Sequence, residues 1–357
     1  MIIHNDSTQP NLVVGAGLAG CLLTWHLEQA GEPVLLMGQS DGHCASMAAG
    51  GLVNPVTGRW AVKSWRIDDL LPLAQDTYRA IESSLGISVY HPLPLRRYCL
   101  NADDVKRVQR RMRNPRYDDV LGPFLHPGEA PVPLRDEYGS FAVKRAAYLD
   151  MPRLLEALRA RYRCIDEKFE HEQLAPSGQG WQYKGILARR VFFCEGAAIR
   201  DNPWFRHLPV DPIKGETLLL QEKEAILPRG IFHHQKWILS HGNGRCRTGS
   251  TYDEKDASPL PTREGADILL GALQSCSAGK FELLEQKAGL RPSTPDTRPV
   301  LGSLPGTASL HVLNGLGSKG ASTAPLMCRL LLRHVLEQEP LDPEIDCKRF
   351  APQQAKP

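Results

Sequence analysis

The feature that most constrains the fold is a glycine-rich turn near the start of the chain. Residues 12–14 form a short apolar run, and the pattern Gly-x-Gly-x-x-Gly follows it over residues 15–20. Apolar residues then recur at helical spacing as far as Gly31, and Val34–Met37 is a second apolar run. This order predicts a strand, a helix capped by Gly31 and a second strand, with the glycines in the turn between the first two elements.

A turn of this kind suits the diphosphate of a dinucleotide for a physical reason. The first backbone N–H groups of a helix have no partner within the helix, and the helix dipole places a partial positive charge at the same end. Glycine lets the backbone approach the ligand closely. The pattern therefore predicts a dinucleotide-binding site that includes Gly15, Gly17, Leu18, Ala19 and Gly20.

The position expected to bind the ribose departs from the usual pattern. An acidic side chain normally ends the second strand and accepts a hydrogen bond from the ribose hydroxyl, but Gly38 stands at that position here. We expect Gly38 to lie beside the cofactor. Gln39, Ser40 or Asp41 is then expected to supply the hydrogen bond from the following loop.

Length and charge limit the class of protein. A chain of 357 residues exceeds a typical single domain, so we expect one large domain or two interleaved ones. The formal net charge of +3 is too small to indicate a nucleic-acid or membrane surface by itself. No apolar run approaches the ~18 residues of a transmembrane helix, and the first ten residues lack the features of a secretion signal.

The cysteines indicate a reducing compartment. Nine are present, none in a Cys-x-x-Cys pair, and several lie in apolar runs, which suits buried thiols better than disulfides or a zinc site. His233, His234 and His241 lack the spacing of metal ligands, so we predict no metal. The cytoplasm is the predicted location.

Hydrophobic periodicity predicts further elements along the chain. Helices are predicted over residues 66–85, 103–112, 149–162, 269–284 and 324–336. Strands are predicted over residues 186–194, 216–221, 230–232, 237–241, 245–250 and 310–313, with a hairpin turn at residues 242–244. Five prolines between residues 114 and 133 predict a connecting loop without a regular core element.

Several motifs in this order resemble the D-amino-acid oxidase-like, or glycine oxidase-like, family of FAD-dependent oxidoreductases, over almost the full length. The most specific are Ala-Gly-Leu-Arg-Pro-Ser-Thr-Pro-Asp at residues 288–296 and Asn-Gly-Leu-Gly-Ser-Lys-Gly-Ala at residues 314–321. The remaining matching segments are residues 13–20, 45–55, 191–197, 213–216 and 248–252.

The resemblance implies FAD as the cofactor and a set of residues around it. In the family, the loop matched by residues 45–55 passes along the flavin, where small side chains let the ring system lie against the backbone. The turn matched by residues 314–321 directs a helix N-terminus at the flavin pyrimidine carbonyl and stabilises the reduced flavin. The cofactor-binding residues implied in this way are Ser46, Met47, Ala48, Ala49, Gly50, Gly51, Leu52, Phe169, Glu195, Gly196, Arg291, Gly315, Gly317, Ser318, Lys319 and Gly320.

The resemblance also implies oxidation of a C–N bond. In the family, hydride passes to the flavin from the carbon next to the nitrogen and the imine then hydrolyses, so the protein mainly orients the substrate. Arg291 stands where glycine oxidase-like members bind the substrate carboxylate, which a planar guanidinium holds in a bidentate manner. Lys319 is expected to add positive charge near the flavin or substrate. Trp237 is expected to line the substrate pocket, at a position where the family often has a tyrosine.

Two alternatives remain open at this stage. Residues 315–326 are also similar to the FAD domain of the bifunctional enzyme that modifies the tRNA wobble uridine, where the flavin removes a carboxymethyl group from a carboxymethylaminomethyl-type base. Six cations between Lys106 and Arg116 would then contact tRNA phosphates, although a solvated helix is the favoured interpretation. A non-catalytic flavoprotein subunit would carry the same motifs. We prefer a free-standing amine or amino-acid oxidoreductase with a small-molecule substrate.

The expected fold is α/β, with an FAD-binding Rossmann-like, doubly wound domain interleaved with an α+β substrate domain on a mixed or antiparallel sheet. The FAD-binding domain is predicted to take residues 1–80, 143–208 and 288–357. The substrate-binding domain is predicted to take residues 81–142 and 209–287. We expect the substrate pocket between the substrate-domain sheet and the flavin.

Overall fold

The structure is a computed structural model that describes residues 9–39, 44–58, 60–178, 180–224, 227–307 and 309–350. The helices of these ranges are α1 (Leu18–Gln29), α2 (Ala45–Ala48), α3 (Ile67–Leu85), α4 (Ala102–Met112), α5 (Met151–Arg161), α6 (Arg263–Cys276) and α7 (Gly320–Leu336). Short 3-10 turns cover Pro115–Tyr117, His171–Gln173, Gly196–Asp201 and Cys347–Phe350.

The strands follow in chain order. They are β1 (Asn11–Val14), β2 (Val34–Met37), β3 (Leu52–Val53), β4 (Val56–Thr57), β5 (Val62–Lys63), β6 (Tyr90–Pro92), β7 (Leu95–Tyr98), β8 (Leu121–Leu125), β9 (Ser140–Val143), β10 (Ala147–Leu149), β11 (Leu174–Ser177), β12 (Gly180–Tyr183), β13 (Ile186–Ala188), β14 (Arg190–Phe193), β15 (Asp211–Glu222), β16 (Gly230–His233), β17 (Trp237–Ser240), β18 (Arg245–Gly249), β19 (Phe281–Ser293), β20 (Val300–Ser303) and β21 (Leu310–Asn314).

The chain forms two compact units. The first comprises Met1–Ser46, Pro152–Ile213 and Leu290–Pro357, and the second comprises Met47–Met151 and Lys214–Gly289. Residues 47–80 therefore pack with the second unit, whereas the sequence grouped them with the cofactor domain. The physical reason is visible in α3, whose Tyr78 stacks on Tyr90 at 5.7 Å between ring centroids. The assignment of functions to the two domains stays a prediction.

The first unit is built on a five-stranded sheet in the order β2-β1-β14-β21-β20. The first three neighbouring pairs are parallel, and β20 pairs antiparallel with β21. Helix α1 connects the parallel strands β1 and β2. This strand–helix–strand unit confirms the predicted doubly wound architecture, and β2 has the predicted bounds.

The core of the first unit surrounds this sheet. The central strands are buried on both faces, as parallel strands covered by other elements are, and Leu12, Val191 and Val312 have no exposed surface. Helices α1 and α7 pack against each other. The small antiparallel sheet β11-β12-β13 adds Trp181 and Tyr183 to the same hydrophobic cluster.

The second unit is built on an eight-stranded mixed sheet in the order β19-β15-β18-β17-β16-β7-β9-β8. Strands β7 and β16 are parallel, whereas β17 and β18 form the hairpin predicted around residues 242–244. Side chains alternate between the two faces of a strand. Leu218 and Leu220 accordingly enter a cluster with α6 residues such as Leu269, while Thr217 and Leu219 point to the other face.

The prediction of an irregular loop over residues 114–133 is wrong for part of it. Strand β8 forms the edge of the large sheet and pairs with β9, with a shift in register between Leu121 and Phe124. Proline lacks a backbone N–H and is confined to edge strands or bulges within sheets. Pro123 occupies such a position, so the prolines that indicated a loop are compatible with this strand.

Two further predicted elements differ from the structure. The helix predicted over residues 269–284 is instead α6, which begins after Thr262 and ends at Cys276, followed by the long strand β19. The side chain of Thr262 accepts a hydrogen bond from the N–H of Gly265 and caps the helix start. The strand predicted over residues 186–194 is divided, because β13 joins the small antiparallel sheet while β14 joins the parallel sheet.

No helix in the described part of the chain combines the length and apolar character needed to cross a membrane. The nine cysteines are free thiols, and most of them are buried.

Candidate cofactor and substrate site

Four chain segments of the first unit meet at the carboxyl ends of its parallel strands. The start of α1 approaches the end of β14, because a Cβ atom added at Gly15 would lie 2.3 Å from the carbonyl oxygen of Cys194. The end of β19 joins the start of α7 through a hydrogen bond of 3.0 Å from the N–H of Gly317 to the carbonyl of Pro292. Ligands of open α/β sheets bind at this edge.

The turn between β1 and α1 is possible only with glycine at its end. A Cβ atom added at Gly20 would lie 1.8 Å from the carbonyl oxygen of Gly15, far inside van der Waals contact. At Gly17, by contrast, the nearest atom would be the Ser46 hydroxyl oxygen at 3.5 Å, and the backbone φ of −80° is ordinary. The space beside Gly17 is therefore open, and its use by the diphosphate of a cofactor stays a prediction.

The same turn supplies backbone donors. The N–H groups of Ala16, Gly17, Ala19 and Gly20 make no hydrogen bond to any described residue. The N–H of Leu18 donates to the Ser46 hydroxyl at 3.1 Å, so Ser46 caps the helix in this structure. Four unpaired donors at a helix N-terminus form a site for an anion.

Arg159 orients this turn, and the sequence reasoning missed it. Its Nε and Nη2 atoms donate to the carbonyl oxygen of Ala16 at 2.8 and 2.6 Å. A trans peptide directs its C=O and N–H to opposite sides, so holding this carbonyl turns the N–H of Gly17 away from the arginine. No local signal could identify Arg159, because it lies 143 residues from its partner.

The structure gives a physical reason for the glycine at position 38. A Cβ atom added at Gly38 would lie 2.5 Å from the backbone nitrogen of Ala16, so an acidic side chain would collide with the diphosphate turn. Gln39 is exposed, and its side chain makes no hydrogen bond to another residue of the described ranges. Ser40 and Asp41 lie outside the described residues. The identity of the ribose ligand therefore stays a prediction.

The end of β14 is fixed by polar side chains. Both carboxylate oxygens of Glu195 are occupied: Nε2 of His171 lies 2.8 Å from Oε1, and the amide of Asn202 donates to Oε2 at 2.8 Å. The Glu195 carboxylate raises the pKa of His171. Asn314, whose role the sequence reasoning did not name, donates to the carbonyl of Gly196 at 2.9 Å.

The turn before α7 contains two glycines in the left-handed region and a lysine. Gly315 and Gly317 have positive φ values of 70° and 53°, and the N–H groups of Ser318 and Gly320 have no partner among the described residues. Lys319 precedes the helix. Lys319 is exposed as a residue. The pKa of its ammonium is nevertheless lowered, first by desolvation and second by the positive charge of Arg298.

Arg291 lies near the end of β19, one residue before the Pro292 carbonyl that accepts from Gly317. Its side chain is partly buried and makes contacts within the protein. The structure thus brings the segments of Arg291 and Lys319 together in the first unit. Their roles toward a substrate remain predictions.

Phe169 packs in the hydrophobic core. Its ring stacks on Tyr183 at 4.3 Å between centroids and meets Phe193 edge-on at 6.0 Å. Because the whole residue is 7% exposed and its ring packs on two other rings, the predicted cofactor contact of Phe169 stays a prediction.

Within the second unit, Trp237 fits between two glycine backbones. A Cβ atom added at Gly50 would lie 2.5 Å from Cη2 of the indole, and one added at Gly249 would lie 2.7 Å from Cζ2. The indole therefore occupies the space that a side chain at Gly50 would need, which explains in part why the loop over residues 45–55 has a glycine there. This contact links the loop, which includes Met47, Ala49, Gly51 and Leu52, to the predicted substrate residue Trp237.

A polar chain that the sequence reasoning missed continues from the same loop. The hydroxyl of Thr217 donates to the carbonyl of Ala48 at 3.0 Å, and Arg247 donates to that hydroxyl at 3.2 Å. Arg247 also pairs with Glu285 at 3.0 Å. The alternation of side chains along β15 and β18 could have indicated a shared face, but not these bonds.

The described residues contain no group of three or more His, Cys, Asp or Glu side chains arranged to hold a metal ion. The chain does match, over residues 12–333, the profile of a family described as FAD dependent oxidoreductase. This match spans most of the chain and includes every segment that meets at the site.

Known relatives are similar over nearly the whole chain. A glycine oxidase of Pseudomonas aeruginosa is 29% identical, with 96% of this chain and 98% of the relative covered. A bifunctional protein of tRNA 5-methylaminomethyl-2-thiouridine biosynthesis from Marinobacter nauticus is 25% identical, with 93% of this chain but 56% of the relative covered.

Solved structures share the fold. Glycine oxidase from Geobacillus kaustophilus superimposes with a TM-score of 0.78 at 20% identity, covering 97% of this chain and 99% of that one. Iminodiacetate oxidase from Chelativorans gives a TM-score of 0.76 at 22% identity, covering 96% and 98%.

The residues of the first unit fit FAD. The unpaired N–H groups of Ala16, Gly17, Ala19 and Gly20 suit a diphosphate, and the open space at Gly17 permits its close approach. The second helix N-terminus, at α7, adds donors and partial positive charge for a flavin that gains negative charge on reduction.

Proposed function

Because this chain belongs to the family of FAD-dependent oxidoreductases, we propose that it oxidises the C–N bond of an amino acid or a related amine. The observation that carries the proposal is the similarity to glycine oxidase over nearly the full length of both chains. The imine formed by oxidation would hydrolyse to a carbonyl compound and an amine or ammonia.

The placement of Arg291 supports an amino acid as substrate. Its segment is hydrogen-bonded to the turn that precedes α7, so a carboxylate bound by Arg291 would lie near the donors of that turn. A guanidinium can hold both carboxylate oxygens and so fixes the orientation of the α-carbon.

The other groups have supporting roles in this proposal. Bound FAD supplies a two-electron acceptor for the carbon next to the nitrogen. Lys319 adds positive charge beside the turn, and its lowered pKa reflects an ammonium that has lost part of its hydration. No acid–base dyad is required of the protein.

The test replaces Arg291 by Gln and by Lys in the holoenzyme. Rates of anaerobic flavin reduction are measured with glycine, sarcosine and an amine of similar size without a carboxylate. We expect the dissociation constant for both carboxylate substrates to rise about 10- to 100-fold in Arg291→Gln, since a charge-assisted pair contributes about 1.5–3 kcal/mol. Arg291→Lys should recover only part of the affinity, because a lysine cannot form the bidentate pair.

Arg263→Gln is the matched control, because Arg263 is an exposed arginine on α6 with 95% of its side chain accessible. Wild-type affinity in Arg291→Gln would remove this residue from the substrate site. Wild-type flavin that none of the three compounds reduces would argue against the proposed substrate class.

A second candidate, action on a modified tRNA base, is favoured by one observation. Lys106, Arg110 and Arg113 recur at the i, i+4, i+7 spacing of one helix face and are exposed. Arg110 and Arg113 make no ion pair within the described part of the chain. If this candidate is right, carboxymethylaminomethyluridine reduces the flavin and free amino acids do not. The affinity for tRNA should also fall steeply as the salt concentration rises.

A further inference from the structure

Arg159 is a half-buried arginine in the last turn of α5, within the first unit. Its guanidinium contacts the glycine turn before α1, where Nε and Nη2 both donate to the carbonyl oxygen of Ala16, at 2.8 and 2.6 Å. Two charged N–H donors on one oxygen hold that peptide group in a single orientation. Arg159 therefore fixes one peptide of the turn instead of pairing with an acid.

The path of the chain around α5 explains how Arg159 reaches this turn. Ile165 follows α5 and lies beside the end of β2, because its carbonyl accepts from the N–H of Gly38 at 3.0 Å. The last turn of α5 is also tied to α1, since Arg161 pairs with Glu28 at 2.8 Å. These contacts hold the end of α5 against α1 and leave Arg159 next to the glycine turn.

The carbonyl of Ala16 is available because it lies outside the hydrogen bonds of α1. The first bond of the helix runs from the N–H of Cys21 to the carbonyl of Gly17 at 3.0 Å. The C=O and N–H of a trans peptide point in opposite directions, so the N–H of Gly17 is directed away from Arg159. Hydrogen bonds in a chain polarise one another, and the guanidinium on the carbonyl thus makes this N–H a stronger donor.

The charge of Arg159 is not balanced by an acid. Arg159 forms no ion pair with any acidic side chain in the part of the chain that the structure describes. Burial raises the pKa of the Cys21 thiol to about 12 and also raises the pKa of the Cys164 thiol, while the charge of Arg159 acts against burial in both cases. Thiols with a raised pKa stay neutral near pH 7, so neither one supplies a counter-charge.

A positive charge in this place is unfavourable until an anion binds. The N-terminal end of a helix carries partial positive charge, which destabilises a nearby cation and stabilises a nearby anion. Arg159 brings a full positive charge to the start of α1. The C-terminal end of α5 offsets part of this cost, because Arg159 lies in its last turn. A diphosphate at the glycine turn supplies the negative charge that is missing.

We propose that Arg159 is a positioning residue for FAD, which directs and strengthens the N–H of Gly17 as a donor to the diphosphate and whose charge the diphosphate balances. Arg159 acts through the peptide between Ala16 and Gly17, and contact with the cofactor is not required. The inference goes beyond the proposed function, because it concerns cofactor binding and holds for any substrate. It predicts that Arg159 contributes to binding of the diphosphate more than to binding of the adenosine.

The first experiment compares Arg159→Gln with Arg161→Gln. Arg161 is the matched control, because it lies two residues further along α5 and pairs with Glu28 instead of the turn. Dilution of each holoprotein releases FAD, and the recovery of flavin fluorescence gives the dissociation constant. We expect the dissociation constant to rise about 10-fold in Arg159→Gln, as for the loss of one hydrogen bond. Arg161→Gln should keep the wild-type value, and so would Arg159→Gln if the proposal were wrong.

Competition by ADP and by AMP separates positioning from a merely structural role. Both nucleotides carry adenosine, but only ADP carries the diphosphate, and each is used to displace FAD from the holoprotein. Arg159→Gln should lower the wild-type preference for ADP over AMP, whereas a structural defect would weaken both nucleotides equally. Arg159→Lys keeps the charge without the paired donors, so its preference should lie between the two.

If Arg159→Gln does not fold, the preference of Arg159→Lys decides the question, because it should still fall below that of the wild type. An unchanged preference for ADP in the folded variants would overturn the proposal. Neither measurement uses flavin reduction. A protein that binds FAD in this way but oxidises no amine would therefore contradict the proposed function and leave the role of Arg159 intact.

Discussion

Replacing Gly17 by alanine should weaken FAD binding while leaving the stability of the apoprotein nearly unchanged. A Cβ atom at this position would meet only the Ser46 hydroxyl, at 3.5 Å, and the φ of −80° suits alanine. The added methyl group nevertheless projects into the space beside the unpaired N–H groups of α1. The variant should therefore fold but exclude the diphosphate from its closest position.

The expected magnitudes differ for the two properties. Alanine is less favourable than glycine at a helix N-cap, so the free energy of unfolding of the apoprotein should fall by no more than about 1 kcal/mol. Each charge-assisted hydrogen bond contributes about 1.5–3 kcal/mol, so losing one weakens FAD binding about 10- to 100-fold.

The contrasting variant is Gly20→Ala, whose Cβ atom would lie 1.8 Å from the carbonyl oxygen of Gly15. Overpacking of this kind costs about 1–3 kcal/mol or more. Urea unfolding of the apoproteins and titration of FAD by flavin fluorescence measure both quantities. Equal FAD affinity in Gly17→Ala and wild type would refute the assignment of this turn to the diphosphate.

Two further predictions concern stability. The Glu195 carboxylate raises the pKa of His171, so the pair stabilises the fold fully below the unfolded pKa of about 6.5 and less as pH rises through the raised value. The stability difference between wild type and His171→Gln in urea unfolding should therefore shrink from about pH 5.5 to pH 8.5; a difference constant over that range contradicts this explanation. Gly249→Val would place atoms within 2.7 Å of the Trp237 indole and should cost about 1–3 kcal/mol. The double variant with Trp237→Leu should recover at least half of that cost, and no recovery would place the strain elsewhere.

The sequence predicted the parts of the fold that depend on local patterns. The glycine turn and the strand Val34–Met37 agree with the structure because short continuous apolar runs and a turn at fixed spacing are local signals. Strand β8 was missed because Pro123 reads as a loop signal unless the strand is known to lie at a sheet edge. Strand β19 was missed because apolar residues continue from α6 into residues 281–284, and Gly279 between them was interpreted as part of a helix rather than as its end.

The site shows the same division between local and distant contacts. The sequence shows that Gly38 replaces the acidic residue usual at the end of the second strand. The reason is visible only in three dimensions, because a Cβ atom added at Gly38 would lie 2.5 Å from the backbone nitrogen of Ala16. Arg159 and Asn314 fix the turns of the first unit through bonds that span more than 100 residues. No spacing rule in a single sequence reaches across such separations.

The most direct test of the account is the visible absorption spectrum of the purified protein under anaerobic conditions. We predict one FAD per chain, and loss of the flavin band on addition of amino acids. A folded protein that neither contains nor takes up FAD, or whose bound flavin no amino acid or amine reduces, would contradict it.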